Sequence, residues 1–279
     1  MRGDDERFEK ILSDIKSVKV QGAENVAKAG IEAFLLKSDR TSIKKILKSR
    51  PTEPLLQNVI KVLKKSHDKK IAAKNLLKEI EMSHKIISSK GAKLIQNGMK
   101  IYSHCHSSTV IDILKFAKQR QRKKFVVYTS EVEPLLQGRK TALELAKVKI
   151  EVVVCPDLAA EQALKKCDLF LFGADAYTKK YVINKIGTST LVEIAKLHKI
   201  PRYSCGVSMK FTKRVKIEKR SGKEVWDERS KDIIVENFAF DKTKMKDLSG
   251  VISEFGILSP KSFVKEARVK LKNLWLMLV

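Results

Sequence analysis

Cys105 and Asp175 stand 70 residues apart, yet each follows a short apolar run and sits among small polar residues. Cys105 lies in Ser103-His104-Cys105-His106-Ser107-Ser108-Thr109, after Met99-Lys100-Ile101-Tyr102. Asp175 lies in Gly173-Ala174-Asp175-Ala176, after Asp168-Leu169-Phe170-Leu171-Phe172. Open α/β sheets bind ligands just beyond the carboxyl ends of their strands. A thiol and a carboxylate meeting there would form an acid/base pair acting on a small molecule. Each residue taken alone also fits a plainer role, a buried cysteine before a Ser-Ser-Thr helix cap and an aspartate capping a strand-to-helix loop. A zinc site of His104, Cys105 and His106 is disfavoured, because adjacent strand residues point to opposite faces.

Other polar groups gather at the same expected positions. A helix beginning at Ser107, Ser108 and Thr109 offers free backbone N–H groups and hydroxyls to an anion, and its dipole is expected to lower the Cys105 pKa. Asn184-Lys185-Ile186-Gly187-Thr188 reads as the start of a further helix with an amide, an ammonium and a glycine. Gln137-Gly138-Arg139 opens the helix after the second strand, and Lys210 follows the fifth. Each is a weak signal singly. Their convergence on one crevice is what suggests a site.

The elements that must position these residues follow from hydrophobic period. Residues 5–97 are expected to be helical. Phe8, Ile11, Leu12 and Ile15 form one stripe, and Ala23, Val26, Ala27, Gly30, Ile31 and Phe34 form another, both at helical spacing. Pro51 and Pro54 mark the start of a helix through Val62. A longer helix from Asp68 carries Ile71, Leu76, Leu77, Ile80 and Ile87, with Asn97-Gly98 expected to end it. From Met99 short apolar runs alternate with helices, with strands expected at 99–103, 124–129, 150–154, 168–172 and 202–206. Such near-continuous apolar strands indicate a parallel sheet covered on both faces. Right-handed crossovers in the order 3-2-1-4-5 put the first and fourth strands side by side, which brings Cys105 and Asp175 together. The fold expected is α/β: an N-terminal helical subdomain (1–97) packed on a Rossmann-like, doubly wound, mostly parallel sheet domain (98–279). Beyond Lys210 the pattern weakens until a basic helix near 260–274 and the apolar end Leu274 to Val279, which argues for a homo-oligomer.

Composition narrows the classes. A hydrophobic share of 43% and a charged share of 32% suit a globular protein with a core. No run is long and apolar enough to span a membrane, and Met1 to Glu6 lack the apolar region of a secretory signal. Four cysteines without C-x-x-C spacing point to a reducing cytoplasm. The formal net charge is +26, with eleven basic and three acidic residues in 37–70 and seven basic and one acidic in 210–223. Such a field attracts phosphates of any kind, from sugar phosphates to RNA.

Together these segments resemble the superfamily of the alpha, beta and delta subunits of translation initiation factor 2B, methylthioribose-1-phosphate isomerase and archaeal ribose-1,5-bisphosphate isomerase. The likeness runs through Gln21-Gly22-Ala23-Glu24, Ser49-Arg50-Pro51-Thr52, the Cys105 and Asp175 segments, Gln137-Gly138-Arg139 and Asn184-Lys185-Ile186-Gly187-Thr188. It continues through Met209-Lys210-Phe211, Asn237-Phe238-Ala239-Phe240-Asp241 and Ile252-Ser253-Glu254-Phe255-Gly256-Ile257. The resemblance implies an aldose–ketose isomerase of a phosphorylated ribose, with Cys105 and Asp175 as the catalytic pair and no metal or organic cofactor. It implies substrate contacts at Gln21, Gly22, Ala23, Arg50, Ser107, Ser108, Thr109, Gln137, Asn184, Lys185 and Lys210. Two departures stand out. The isomerases usually carry Arg-Gly-Ala at Gln21-Gly22-Ala23, and Glu-Thr-Arg-Pro at Glu131-Val132-Glu133-Pro134, where this chain reverses a charge. Lys179 and Lys180 are candidates to replace the lost positive charge. The competing reading is a non-catalytic initiation-factor-like subunit that binds a protein factor, a nucleotide or, weakly, RNA.

Overall fold

The computed structural model describes residues 2–227, 230 and 232–276. Five helices come first: α1 (Arg2–Lys16), α2 (Ala23–Leu36), α3 (Arg40–Ser49), α4 (Pro54–Lys65) and α5 (Lys69–Gly91). The second stripe predicted from the sequence is buried in full, since Ala23, Val26, Ala27, Gly30, Ile31 and Phe34 all face inward on α2. Gly30 is needed there because a Cβ would lie 2.1 Å from Leu56 Cδ1 of α4. Asp39 and Asp68 cap α3 and α5, accepting from the N–H groups of Thr41 and Ser42 and of Ile71.

A seven-stranded sheet follows, built from β1 (Lys100–His104), β2 (Val126–Ser130), β3 (Glu151–Cys155), β4 (Leu169–Phe172), β7 (Arg202–Cys205), β9 (Gly250–Ser253) and β10 (Gly256–Leu258). Its order is β10-β9-β7-β4-β1-β2-β3, parallel except for the β9–β10 hairpin. The five expected strands thus pair as 3-2-1-4-5. The adjacency of β1 and β4 is direct, with Tyr102 opposite Phe170 and His104 opposite Phe172. Side chains alternate between two cores. Ile101, Leu169 and Leu171 join the helices α1–α6, where α6 is Ser108–Gln119. Tyr102, Phe170 and Phe172 join α8 (Ala160–Leu164), α9 (Thr188–Leu197) and α10 (Pro260–Leu276) on the opposite face. Tyr102 and Phe170 meet edge to face at 5.6 Å. The helix α7 (Gln137–Ala146) packs beside β3 and α6. No helix among the described residues is long and apolar enough to cross a membrane.

Several local expectations are corrected. Asn184 and Lys185 do not start a helix; they end strand β6 (Tyr181–Lys185), which pairs antiparallel with β5 (Ala176–Tyr177) and β8 (Phe240–Lys244) in a second, three-stranded sheet. The tight hairpin is closed by Thr178, whose hydroxyl accepts from the N–H groups of Lys180 and Tyr181. The helix α9 starts only after Gly187, at φ 94°. Gly98 is left-handed at φ 82°, but α5 has already ended at Gly91, where a Cβ would strike Ile113 of α6 at 2.6 Å. Ile71 is 59% exposed, since it lies in the first turn of α5 beyond the packed stretch. A short capped helix, α3, fills the basic stretch after residue 37. Leu274 packs partly against the core, and the apolar end beyond Leu276 lies outside the described residues.

Gly138 sits where α7 meets the end of β2, and a Cβ there would come within 1.7 Å of the Ser130 carbonyl oxygen. Backbone cannot give way as a side-chain tip can. Gly138→Ala is therefore expected to cost about 3 kcal/mol in urea denaturation, the upper range for overpacking; unchanged stability would show that the α7–β2 junction is looser than described.

Candidate functional site

A pocket of about 80 Å3 opens at the carboxyl ends of β1 and β4, lined by residues from the helices, both sheets and the segment after β7. That volume admits several waters. Every residue expected to contact substrate lines it except Thr109, which is turned into the core at 2% exposure. Cys105 and Asp175, Gln21 to Ala23, Arg50, Ser107, Ser108, Gln137, Asn184, Lys185 and Lys210 are all brought together.

The chain goes to some lengths to place them. Cys105 holds a left-handed backbone at φ 68°, uncommon for a residue with a side chain. Its carbonyl accepts from Thr141 Oγ1 at 3.0 Å and its thiol donates to Gln137 Oε1 at 3.4 Å. Ser107 caps α6, and Gly173 follows β4 so closely that a Cβ would sit 2.5 Å from Ser107 Oγ. Asp175 is held through its own N–H, which donates to the Ile183 carbonyl at 2.9 Å. Lys210 Nζ donates to the Ala174 carbonyl at 2.6 Å, and Asn184 Nδ2 donates to Thr188 Oγ1 at 3.0 Å. Gly22, at φ 84°, starts α2 without a side-chain cap. Two helix N-termini, those of α2 and α6, thus border one pocket, and both favour an anion.

Burial dominates the electrostatics. It pushes the Cys105 thiol up to about 12, with the Asp175 charge adding to the rise. This overturns the expectation of a depressed thiol: the helix-start field is outweighed by the loss of solvent. Asp175 is also raised by burial, opposed first by Lys210 and then by Arg50. Lys185 is lowered by burial. Behind the pocket lies a carboxyl that sequence reasoning missed. Glu53, 1% exposed, has no hydrogen-bond partner on either oxygen, and burial together with the Asp175 charge pushes it up to about 8. Arg50 Nη2 stands 4.0 Å from it, while Arg50 Nη1 faces Glu218 Oε1 at 3.1 Å.

The structure relocates other candidates. His104 and His106 diverge, the first lining a neighbouring cavity and the second the Cys105 pocket. His104 bonds the Ile186 carbonyl at 3.0 Å, and burial pushes it down to about 4. Glu133 lines that neighbouring cavity with His104 and Asp157, so the charge reversal at this position does not fall in the Cys105 pocket. Lys179 and Lys180 are exposed at the β5–β6 turn and do not reach the pocket. Arg220 and Glu224 do reach it, from the irregular segment between Phe211 and β8. Its basic composition marked that segment, but charge counting could not distinguish these two residues from their neighbours.

Comparison with known proteins follows the same outline. The model of the initiation factor 2 subunit family matches residues 16–260. A translation initiation factor eIF-2B subunit 2-like protein of Pyrococcus furiosus is 34% identical, covering 91% of this chain and 97% of its own length. A ribose 1,5-bisphosphate isomerase of Thermococcus kodakarensis is 31% identical, with 90% of both chains covered. Among solved structures, the Pyrococcus horikoshii translation initiation factor eIF-2B superposes with a TM-score of 0.84 at 29% identity, covering 93% of this chain and 99% of that one. A 5-methylthioribose 1-phosphate isomerase of P. horikoshii shares the fold at a TM-score of 0.76 and 23% identity, with 96% and 88% covered.

Glu53 gives the site a pH signature in stability. Its folded pKa, about 8, lies above the ordinary 4.5, so its proton favours the folded state below about pH 4.5 and that advantage is lost as pH rises through 8. The facing groups are Asp175, Arg50, Lys210 and Glu218. Between pH 5 and 8 the wild type is expected to lose on the order of a few kcal/mol more than Glu53→Gln, read as the difference between their urea midpoints across pH. Parallel curves for the two proteins would contradict a carboxyl that stays protonated in the fold.

Proposed function

Since the chain belongs to the initiation factor 2 subunit family, which its relatives show to include both factor subunits and sugar-phosphate isomerases, we propose that it is an aldose–ketose isomerase of a phosphorylated ribose. The proposed substrate is ribose-1,5-bisphosphate and the product ribulose-1,5-bisphosphate, in keeping with the ribose 1,5-bisphosphate isomerase relatives. The observation that carries this reading is a protonated, buried thiol sharing one cation-lined pocket with a carboxylate. A subunit that only binds a factor gains nothing from burying those two groups together.

The chemistry uses the groups as they stand. Cys105 donates its proton to the ring oxygen as the bond from that oxygen to carbon 1 breaks. Asp175 takes the proton of the carbon 2 hydroxyl, and hydride moves from carbon 2 to carbon 1. The ketose forms at carbon 2, and the proton on Asp175 returns to the Cys105 thiolate. A thiol held near 12 is a reluctant acid, but Lys185 stabilises the thiolate as it develops, and a protonated start is what this step requires. Asp175 must begin ionised, which Lys210 and Arg50 favour against burial. Arg50, Lys185, Lys210 and the two helix starts attract the phosphates.

A dimer or larger homo-oligomer accompanies this proposal. Val153 and Val154 on the edge strand β3 and the fully exposed Leu158 leave apolar surface at one end of the sheet. The initiation-factor reading has its own support in the +26 charge and in Gln21, where the isomerases carry arginine. For that reading the broad basic clusters should matter together. On the isomerase reading, any RNA binding is expected to be weak and largely gone by roughly 200 mM salt, whereas tight RNA binding that survives high salt, with no sugar-phosphate binding, would favour the initiation-factor reading.

Cys105→Ser and Asp175→Asn are each expected to lower turnover of ribose-1,5-bisphosphate by at least about 100-fold. Stability should change by less than about 1 kcal/mol, because both side chains serve the pocket rather than the core. Rates within a few-fold of the wild type in either variant would refute the acid–base pair.

A further inference from the structure

The pocket contains a guanidinium, that of Arg220, which lies outside the motifs read from the sequence. Gln21 contributes no charge, and its Oε1 accepts only from Lys140 Nζ at 3.5 Å. Arg220 lines the pocket from the irregular segment after Phe211. That segment is pinned beside Arg50: the Glu218 N–H donates to Thr52 Oγ1 at 2.8 Å, and Thr52 Oγ1 donates to the Lys216 carbonyl at 3.0 Å. Arg220, with its side chain 13% exposed, lies 3.6 Å from Glu218 and pairs with Glu224, its Nε donating to Glu224 Oε2 at 3.2 Å. Asn237 Nδ2 donates to the same oxygen at 2.9 Å. A row of alternating charge, Arg50–Glu218–Arg220–Glu224, therefore runs along one wall, Glu218 not itself being among the lining residues.

Two features show that this wall is not satisfied by the protein alone. Lys185 is 6% exposed and lines the pocket, yet its ammonium makes no hydrogen bond or salt bridge with a described residue. Arg50 Nε and Nη1 are buried without hydrogen-bond partners, the 3.1 Å approach of Glu218 being out of alignment. Buried cations left in this state mark the place of an anion. The lining cations Arg50, Lys185, Lys210 and Arg220 outnumber the lining carboxylates Asp175 and Glu224. Guanidinium groups bind phosphate with paired N–H donors, and a carboxylate such as Glu224 matches the same donors.

We propose that Arg220 is a phosphate-binding residue of this pocket that takes the second phosphate of a bisphosphorylated sugar, and that Glu224 occupies its guanidinium until that phosphate arrives. The proposal rests on the sugar-phosphate reading above and deepens it: the chain recovers from outside the usual motif a guanidinium absent at position 21. Arg220 binds, Glu224 holds and then yields, and the pocket selects two phosphates over one.

The test is calorimetric titration of the full chain in a Cys105→Ser background, which prevents turnover, with ribose-1,5-bisphosphate, ribose 1-phosphate and ribose 5-phosphate. Arg220→Gln should weaken the bisphosphate and one of the two monophosphates by about 10- to 100-fold, the worth of one charge-assisted contact, and leave the other monophosphate within about 3-fold. Glu224→Gln should tighten the bisphosphate several-fold by removing the competing carboxylate. An unchanged bisphosphate affinity in Arg220→Gln, or equal losses for all three ligands, would overturn the proposal and leave the sugar-phosphate reading standing. Binding of none of the three by the Cys105→Ser chain itself would overturn both.

Discussion

Everything at the site depends on the parallel pairing of β1 with β4. In that register His104 stands opposite Phe172, so the next residues, Cys105 and Gly173, leave the sheet side by side. Gly173 lets the Ser107 cap close over the junction, and Asp175 follows two residues later, tied to the small sheet through Ile183. Both strands are buried on both faces, which makes a slip of register costly, since one residue would exchange Tyr102 and Phe170 with Ile101 and Leu169 between cores. The pocket is therefore positioned by strands that are packed between two cores. The strained backbone at Cys105 is sustained by that packing.

On the proposed reaction, the pocket combines two opposing demands. Phosphates need cations, and a general acid needs a thiol that keeps its proton. In a solvated cleft, cations beside Cys105 would draw the thiol toward thiolate; here burial and the nearby Asp175 charge raise it despite Lys185. The cost falls on stability. Glu53, Arg50 and Glu218 carry buried polar atoms without hydrogen-bond partners, a state that proteins usually avoid outside functional sites. The segment after Phe211 supplies Glu218, Arg220 and Glu224 to this balance, although it has little regular structure.

Much of this was legible in the sequence. Period and strand-end polarity placed β1, β2, β3, β4 and β7 and their order, because buried parallel strands are short, apolar and bounded by turns. What failed was local. The Tyr181-Val182-Ile183 run that forms β6 was too short to outweigh the Asn-Lys-Ile-Gly-Thr segment, whose polar residues resemble a helix start; only pairing with β8, some 55 residues later, makes it a strand. The raised pKa of Cys105 is not legible in the sequence, because a helix dipole can be read from sequence and the depth of burial cannot. Arg220 and Glu224 were invisible for a related reason, since nothing in a basic, irregular stretch tells which side chains turn inward. Glu53 is the sharpest case: an acid between two prolines reads as surface, and its burial depends on Arg50, Lys210 and the folded-back segment around Glu218.

On the isomerase proposal, Cys105 and Asp175 move protons while hydride passes directly between two carbons. The most direct measurement is nuclear magnetic resonance of the product formed from ribose-1,5-bisphosphate carrying deuterium at carbon 2. The account predicts ribulose-1,5-bisphosphate with the deuterium retained at carbon 1. Unreacted substrate would contradict the isomerase, and a ketose whose deuterium had been lost to solvent would contradict the direct transfer.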